Sequence, residues 1–424
     1  MTANQSQPGL VALAEAGDPK AQYALAAHYS QTGDAELSDK WLQRAAKNGE
    51  PDALFTLSTR SLSTMANLPQ GVADLGAAAT AGSAPAHRLL SALYTEGVGA
   101  DQNWKAAVDH VVSAAKAGDA GAMRDLALVL FAHDTDRISG QALIESASER
   151  DAAAAAICVL RFALGRKTAR QAPAARAFST LQSIDYPRLQ SLHAMLTPTN
   201  KRPDALKDIA PDWDAIAIDA AKQPSTARKE PEEISASPNV RLFKKALSPE
   251  ECETAIAEGA RRLAPSMIVD PETGAARRDP HRSSNTAILG IADLDLTLAR
   301  INLRVSDLVG VPAQQGEFLS ILQYRRGQEY KPHFDWLPAG LERDRSGQRI
   351  ATALICLNED YEGGETHFEQ TGYKWKGETG DVLVFSNSSA GGEPDMTSRH
   401  AGLPVARGVK WLGSKWFRAQ KYVF

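Results

Sequence analysis

The stretch QYRRGQEYKPHFDW, Gln323 to Trp336, decides how the C-terminal half is read. It has the pattern of strand, turn and strand, and it ends in His333-Phe334-Asp335 before Trp336. In a strand, residues i and i+2 point to the same side. His333 and Asp335 are therefore expected to share one metal. A second histidine, His400, follows 65 residues after Asp335. Two histidines and one carboxylate on one face leave three coordination positions open, the donor set of a non-haem iron centre that activates oxygen.

Lys410 lies ten residues beyond His400, across LPVARG, which reads as a hairpin turn. His400 and Lys410 are then expected as cross-strand neighbours on one face. An ammonium beside an iron site suits a dianionic co-substrate, one end on the metal and the other on the point charge. 2-Oxoglutarate is such a molecule.

Around this stretch lie further short apolar runs: EFLSILQYR, RIATALICLN, GGETHFE, GDVLVFS and VKWLGSKWF. Short strands separated by Gly, Asn and Asp turns predict a jelly-roll barrel. Four of the seven tryptophans fall in the last 89 residues, which predicts a separate aromatic core. Cys356, in the middle of one such run, reads as a small core residue. Upstream, LSPEECETAIAEGARRL carries Ser248 and Glu251 at capping-box spacing and predicts a helix.

The N-terminal part has a different grammar. AEAGDPKAQYALAAHY recurs as AAKNGEPDALFTL, AATAGSAPAHRLLSALY and AAKAGDAGAMRDLALVLF. Its glycines, Gly17, Gly49, Gly82 and Gly118, are 32, 33 and 36 residues apart, and an alanine follows each by four residues. A fifth copy has Arg150 in place of the glycine and Ala154 at the alanine position. Such a repeat predicts helix pairs, each ending on a left-handed glycine and stacked into a solenoid. The copy from Tyr94, YTEGVGADQNWKAAVDHVVSAAKAG, resembles the Sel1-like subclass of tetratricopeptide repeat. The expected organisation is 1–165 helical repeats, 166–235 a helical and linker region, and 236–424 the barrel. KQPSTARKEPEEISASP reads as an exposed linker.

The chain has 424 residues with 47 Lys+Arg against 51 Asp+Glu, a formal net charge of −4. That balance predicts neither a nucleic-acid nor a membrane-surface partner. Three cysteines make no disulfide framework, and neither a signal sequence nor a long apolar run is evident. A cytoplasmic protein is expected.

From Pro238 onward the chain resembles the prolyl 4-hydroxylase family of Fe(II)/2-oxoglutarate dioxygenases. LSPEEC, HRSS, ILQYRRGQEYKPHFDW, QRIATALICLNEDYEGGETHF, KGETGDVLVF and RHAGLPVARGVKWLGSKWFR carry the resemblance, in order. It implies a double-stranded β-helix with flanking helices. It implies His333, Asp335 and His400 as iron ligands and Lys410 as the base for the distal carboxylate of 2-oxoglutarate. Tyr324 and Thr366 match hydroxyls that contact the same co-substrate. Arg282, Ser284, Glu317, Tyr330, Arg349 and Arg418 match the peptide cleft. Arg418 stands where collagen-type relatives often have His, which leaves the substrate open. The implied co-substrates are 2-oxoglutarate and O2, with ascorbate as a candidate reductant. The implied activity is hydroxylation of a prolyl residue in a protein or peptide that the repeats help to bind. Hydroxylation of a free amino acid or small metabolite, and a non-catalytic repeat scaffold, are the alternatives. The loops Met267–His281 and Leu337–Gly347, rich in charge, Gly and Pro, are expected to move when no substrate is bound.

Overall fold

The computed structural model describes residues 7–196, 211–223, 230–269, 276–278, 281–388 and 393–424. The repeat grammar holds. Helices alternate from Gln7–Glu15 through Ala152–Ala163. Gly17, Gly49, Gly82 and Gly118 all take positive φ, between 82° and 101°, where a side chain would be strained. The repeated alanines Ala21, Ala53, Ala86, Ala122 and Ala154 are all buried. The residue before most of these helices closes the turn. The side chains of Asp18, Ser83, Asp119 and Asp151 accept the backbone N–H of Ala21, Ala86, Ala122 and Ala154.

Helices continue beyond residue 165, as expected for part of 166–235. Helix Gln171–Ser183 packs on Ala152–Ala163, and Trp213–Ala221 packs on Trp104–Lys116. The linker reading needs a correction. Residues 197–210 and 224–229 lie outside the described residues, but Glu232–Ala236 is a strand paired with Asn239–Phe243. It is an edge strand of polar composition with little to bury, so no apolar alternation marked it.

The barrel is built of two antiparallel sheets. The larger runs Glu232–Ala236, Asn239–Phe243, Val382–Ser386, Arg349–Cys356, Val409–Arg418, Leu319–Arg325, Asn285–Leu289, Ala264–Pro265. The smaller runs Lys374–Trp375, Thr366–Phe368, His400–Gly402, Tyr330–His333. Tyr324, Cys356, Phe368, Trp375, Phe385 and Leu412 share one of the apolar cores. This is the double-stranded β-helix expected. The predicted helix is Pro249–Ala260, and Ser248 and Glu251 form the capping box. No helix among the described residues is long and apolar enough to cross a membrane.

The barrel has the aromatic core that was expected, with Tyr324, Phe368, Trp375 and Phe385, but Trp411 is not part of it. Trp411 belongs to a cluster that runs from the barrel into Leu75, Leu90 and Leu93 of the repeats. Helix Leu296–Val309 packs against Ala84–Glu96, and Pro249–Ala260 packs against Ala152–Ala163. Barrel and array therefore share one of their several cores, and the boundary in the sequence is not a boundary in packing.

Buried charges tie the same interface. Arg124, on a repeat helix and fully buried, meets Asp151 at 2.9 Å, Glu258 at 3.2 Å and Asp295. Arg161 meets Glu250 at 3.0 Å, and Arg188 meets Glu253. A guanidinium removed from water is tolerable only when carboxylates surround it. Arg124→Met leaves Asp151, Glu258 and Asp295 without their common counter-ion. Chemical denaturation of that variant is expected to show a loss of roughly 3–5 kcal/mol, with repeats and barrel unfolding together. A loss under about 1 kcal/mol, or two separate transitions, would contradict the shared-core account.

Candidate active site

His333 ends its strand and His400 begins another, and the two are register partners in the smaller sheet. That pairing brings the two imidazoles to a ring separation of 4.4 Å. Asp335 is placed differently from the sequence expectation. The strand stops at His333, and Asp335 lies in the bend that follows, so strand alternation does not orient it. Thr352 Oγ1, on the larger sheet, donates to Asp335 Oδ2 at 2.7 Å.

The donor set fits a divalent metal. His333 Nε2 is 3.7 Å from Asp335 Oδ1, and His400 Nε2 is 3.8 Å from Asp335 Oδ2. The three ligand atoms lie within 4.8 Å of one another, the one such group among the described residues. Each histidine donates Nδ1–H to a backbone carbonyl two residues back, His333 to Lys331 at 2.8 Å and His400 to Ser398 at 2.9 Å. A carbonyl only accepts, so the proton sits on Nδ1 and the Nε2 lone pair is left for a metal. Burial, and then the facing His400, push His333 down to about 3, so it is neutral at pH 7. Burial alone would raise Asp335, but the two histidines outweigh it and hold the carboxylate below its ordinary range.

Lys410 reaches the site by another route than the predicted hairpin. Val405–Arg407 pairs with Glu362–Gly363 instead, and His400 and Lys410 lie in different sheets. Lys410 is the register partner of Tyr324, and its ammonium stands 5.3 Å from the centre of that ring. Lys410 Nζ also donates to the Gly364 carbonyl at 2.7 Å, which links the larger sheet to the approach to Thr366. Gly364 has φ +70°, and a Cβ there would stand 3.3 Å from the Lys410 chain. Burial lowers Lys410 to about 8. Tyr324 and Thr366 are both buried.

The residues matched to the peptide cleft divide into two clusters. Arg282 lies 5.0 Å from the centre of the Tyr330 ring, which stacks on His333 with 3.5 Å between centres. Ser284 is only 2% exposed, bonds Ser266 Oγ at 2.8 Å and reaches the Tyr324 hydroxyl, so it braces the pocket behind the cleft. Glu317 takes Arg349 at 2.6 and 2.8 Å and Arg418 on the same carboxylate. Burial alone would raise Glu317, but the two guanidiniums hold it below its ordinary value. Arg418, 1% exposed, also donates to the Gly347 carbonyl at 2.9 Å. Arg418 and Ser284, both matched to the peptide cleft, are thus buried.

Of the two loops expected to move, residues 270–275 and 279–280 lie outside the described residues. The other holds a short helix, Leu341–Ser346, and Gln348 bonds both the N–H and the carbonyl of Leu337 at its base. Sequence reading missed Thr352, Asn387 and the Gly364 carbonyl. The signal for Thr352 was a lone hydroxyl in the apolar run IATALIC.

Residues 319–418 match the 2OG-Fe(II) oxygenase superfamily. Prolyl 4-hydroxylase 1 of Arabidopsis thaliana is 35% identical over 202 residues, 44% of this chain and 71% of the relative. The chain belongs to the prolyl 4-hydroxylase family of 2OG-Fe(II) oxygenases. Rat prolyl 4-hydroxylase subunit alpha-1 is 32% identical over 191 residues, 44% of this chain and 36% of that protein. Among solved structures, a viral collagen prolyl hydroxylase from Paramecium Bursaria Chlorella virus-1 aligns at 22% identity and TM-score 0.34, over 42% of this chain and 96% of that one. A Sel1 repeat protein from Oxalobacter formigenes aligns at 22% identity and TM-score 0.35, over 41% of this chain and 77% of that one. The family is one of dioxygenases that use Fe(II), 2-oxoglutarate and O2.

Two predictions follow from Lys410. Lys410→Ala is expected to weaken 2-oxoglutarate binding to the Mn(II)-loaded protein by about 10- to 150-fold, the equivalent of ~1.5–3 kcal/mol for a charge-assisted bond. Metal affinity should stay within about twofold, and calorimetric titration reads both. The second concerns pH. Below pH 8 the free protein carries the ammonium; above it the amine is neutral and cannot pair with a carboxylate. Affinity for 2-oxoglutarate should therefore fall as pH rises through 8, approaching tenfold per unit. Folding shows the opposite sign. The unfolded chain keeps the proton up to about 10.5, so the cost of burying this ammonium, full below about pH 8, is relieved as pH rises from 8 to 10.5. Co-substrate affinity that is flat across the same range would remove Lys410 from the site.

Proposed function

We propose that this protein hydroxylates prolyl residues of a protein or peptide. The observation that carries the reading is the convergence of His333, Asp335 and His400 in a barrel whose opposite sheet offers a buried, unusually weak base, Lys410. His333 Nε2, His400 Nε2 and an Asp335 oxygen would hold Fe(II). Fe(II) held there supplies the oxidative chemistry, in which 2-oxoglutarate and O2 yield succinate and CO2 while a C–H bond becomes C–OH.

The chain's own residues then have distinct tasks. Lys410, already bonded to Gly364, keeps two further N–H groups for the distal carboxylate of 2-oxoglutarate. That carboxylate would restore the charge balance that burial denies the free ammonium. Tyr324 and Thr366 offer hydroxyls from opposite sheets to fix its orientation. Tyr330 and Arg282 screen His333 from water by stacking. The Glu317 pair with Arg349 and Arg418 gives the cleft a rigid charged floor. Ascorbate would serve as reductant in turnovers without substrate. The protein is taken to be cytoplasmic, on the ground of three buried, unpaired cysteines. The repeats are taken to bind the protein that carries the target proline, and their docking on the barrel supports a fixed approach to the cleft.

The test is turnover with Fe(II), 2-oxoglutarate and O2, comparing a proline-rich peptide with free proline. The expected outcome is a 16 Da gain on the peptide at proline, with stoichiometric succinate, and neither product from His400→Ala. Hydroxylation of free proline alone would turn the assignment to a metabolite enzyme. Succinate formation by His400→Ala at wild-type metal content would end the metal assignment.

A further inference from the structure

Asp335 is the one ligand that no strand orients, and a buried two-residue relay stands behind it. Thr352 Oγ1 lies 2.7 Å from Asp335 Oδ2, and Asn387 Nδ2 lies 2.8 Å from Thr352 Oγ1. The direction of both bonds is forced. A carboxylate only accepts, so the single hydroxyl proton of Thr352 goes to Asp335. The oxygen of Thr352 is then an acceptor, and only the amide nitrogen of Asn387 can face it. Thr352 and Asn387 are both wholly buried. Asn387 Oδ1 is buried without a partner, a cost that packing alone gives no reason to keep.

The backbone holds the relay rigid. Thr352 is the register partner of both Phe385 and Trp416. Asn387 lies one residue past the Val382–Ser386 strand, yet its N–H still bonds the Ile350 carbonyl at 2.9 Å, and its carbonyl accepts Asp395 N–H at 3.0 Å. The relay thus carries the order of the larger sheet into the bend that holds Asp335.

We infer that Thr352 and Asn387 are positioning residues for the metal: they fix the Asp335 carboxylate in place by holding its Oδ2 through the Thr352 hydroxyl. This rests on the metal site proposed above.

The test is Mn(II) affinity of the full chain, read by electron paramagnetic resonance without turnover. Thr352→Val, nearly isosteric, should bind Mn(II) about 10- to 100-fold more weakly. Thr352→Ser, which keeps the hydroxyl, should return to within about threefold of wild type. Asn387→Leu should weaken binding, and adding it to Thr352→Val should cost nothing further, because both act through one bond. Circular dichroism melting controls for folding. A Thr352→Val affinity within threefold of wild type, or a Ser variant as weak as the Val variant, would overturn the inference. Failure of the wild-type protein to bind Mn(II) would instead overturn the metal site.

Discussion

The register that sets His400 opposite His333 is the constraint on which the site depends. Two antiparallel strands bring one imidazole each to the same point, and neither histidine would find the other without that pairing. A shift of one residue would turn either side chain to the other face of the sheet. The rest of the chemistry is arranged around this point from the larger sheet. Thr352 orients Asp335, and Lys410 stands beside Tyr324. The barrel is therefore a device for setting two sheets at a fixed separation, with His333 and His400 on one and Thr352 and Lys410 on the other.

The repeat array completes this device. Without Leu75, Leu90 and Leu93 of the repeats, the helices behind the larger sheet would face water. Lys415, on the strand that carries Lys410, donates to the Glu317 carbonyl at 2.8 Å; burial lowers it below the ordinary lysine value, and Glu96 of the repeats partly opposes that. Charge on a repeat helix thus bears on the residue that holds Arg349 and Arg418. An array joined in this way is part of the enzyme's fold.

What the sequence showed clearly was local. Glycine and alanine spacing marked the repeat turns because a left-handed cap and a close helix contact are both decided within five residues. His333, Asp335, His400 and Lys410 were legible because few other reasons place such groups at those intervals. The hairpin linking His400 to Lys410 was misread, since the turn at Leu403–Pro404 leads into a short strand that pairs with Glu362–Gly363. The edge strand Glu232–Ala236 escaped because it buries little. Arg124 gave no sign of its role, because its carboxylate partners lie 27, 134 and 171 residues away. Ser284 and Arg418 were assigned to the cleft by resemblance, and their burial was not legible in the sequence.

The account's central claim is that the metal ligands and Lys410 form the two ends of one co-substrate site. It is tested most directly by titrating 2-oxoglutarate into the protein with and without Mn(II), in the absence of O2. The account predicts binding at least tenfold tighter when metal is present, with the difference abolished in Asp335→Ala. Equal affinity with and without Mn(II) would contradict it, because the lysine and the two histidines would then belong to unrelated sites.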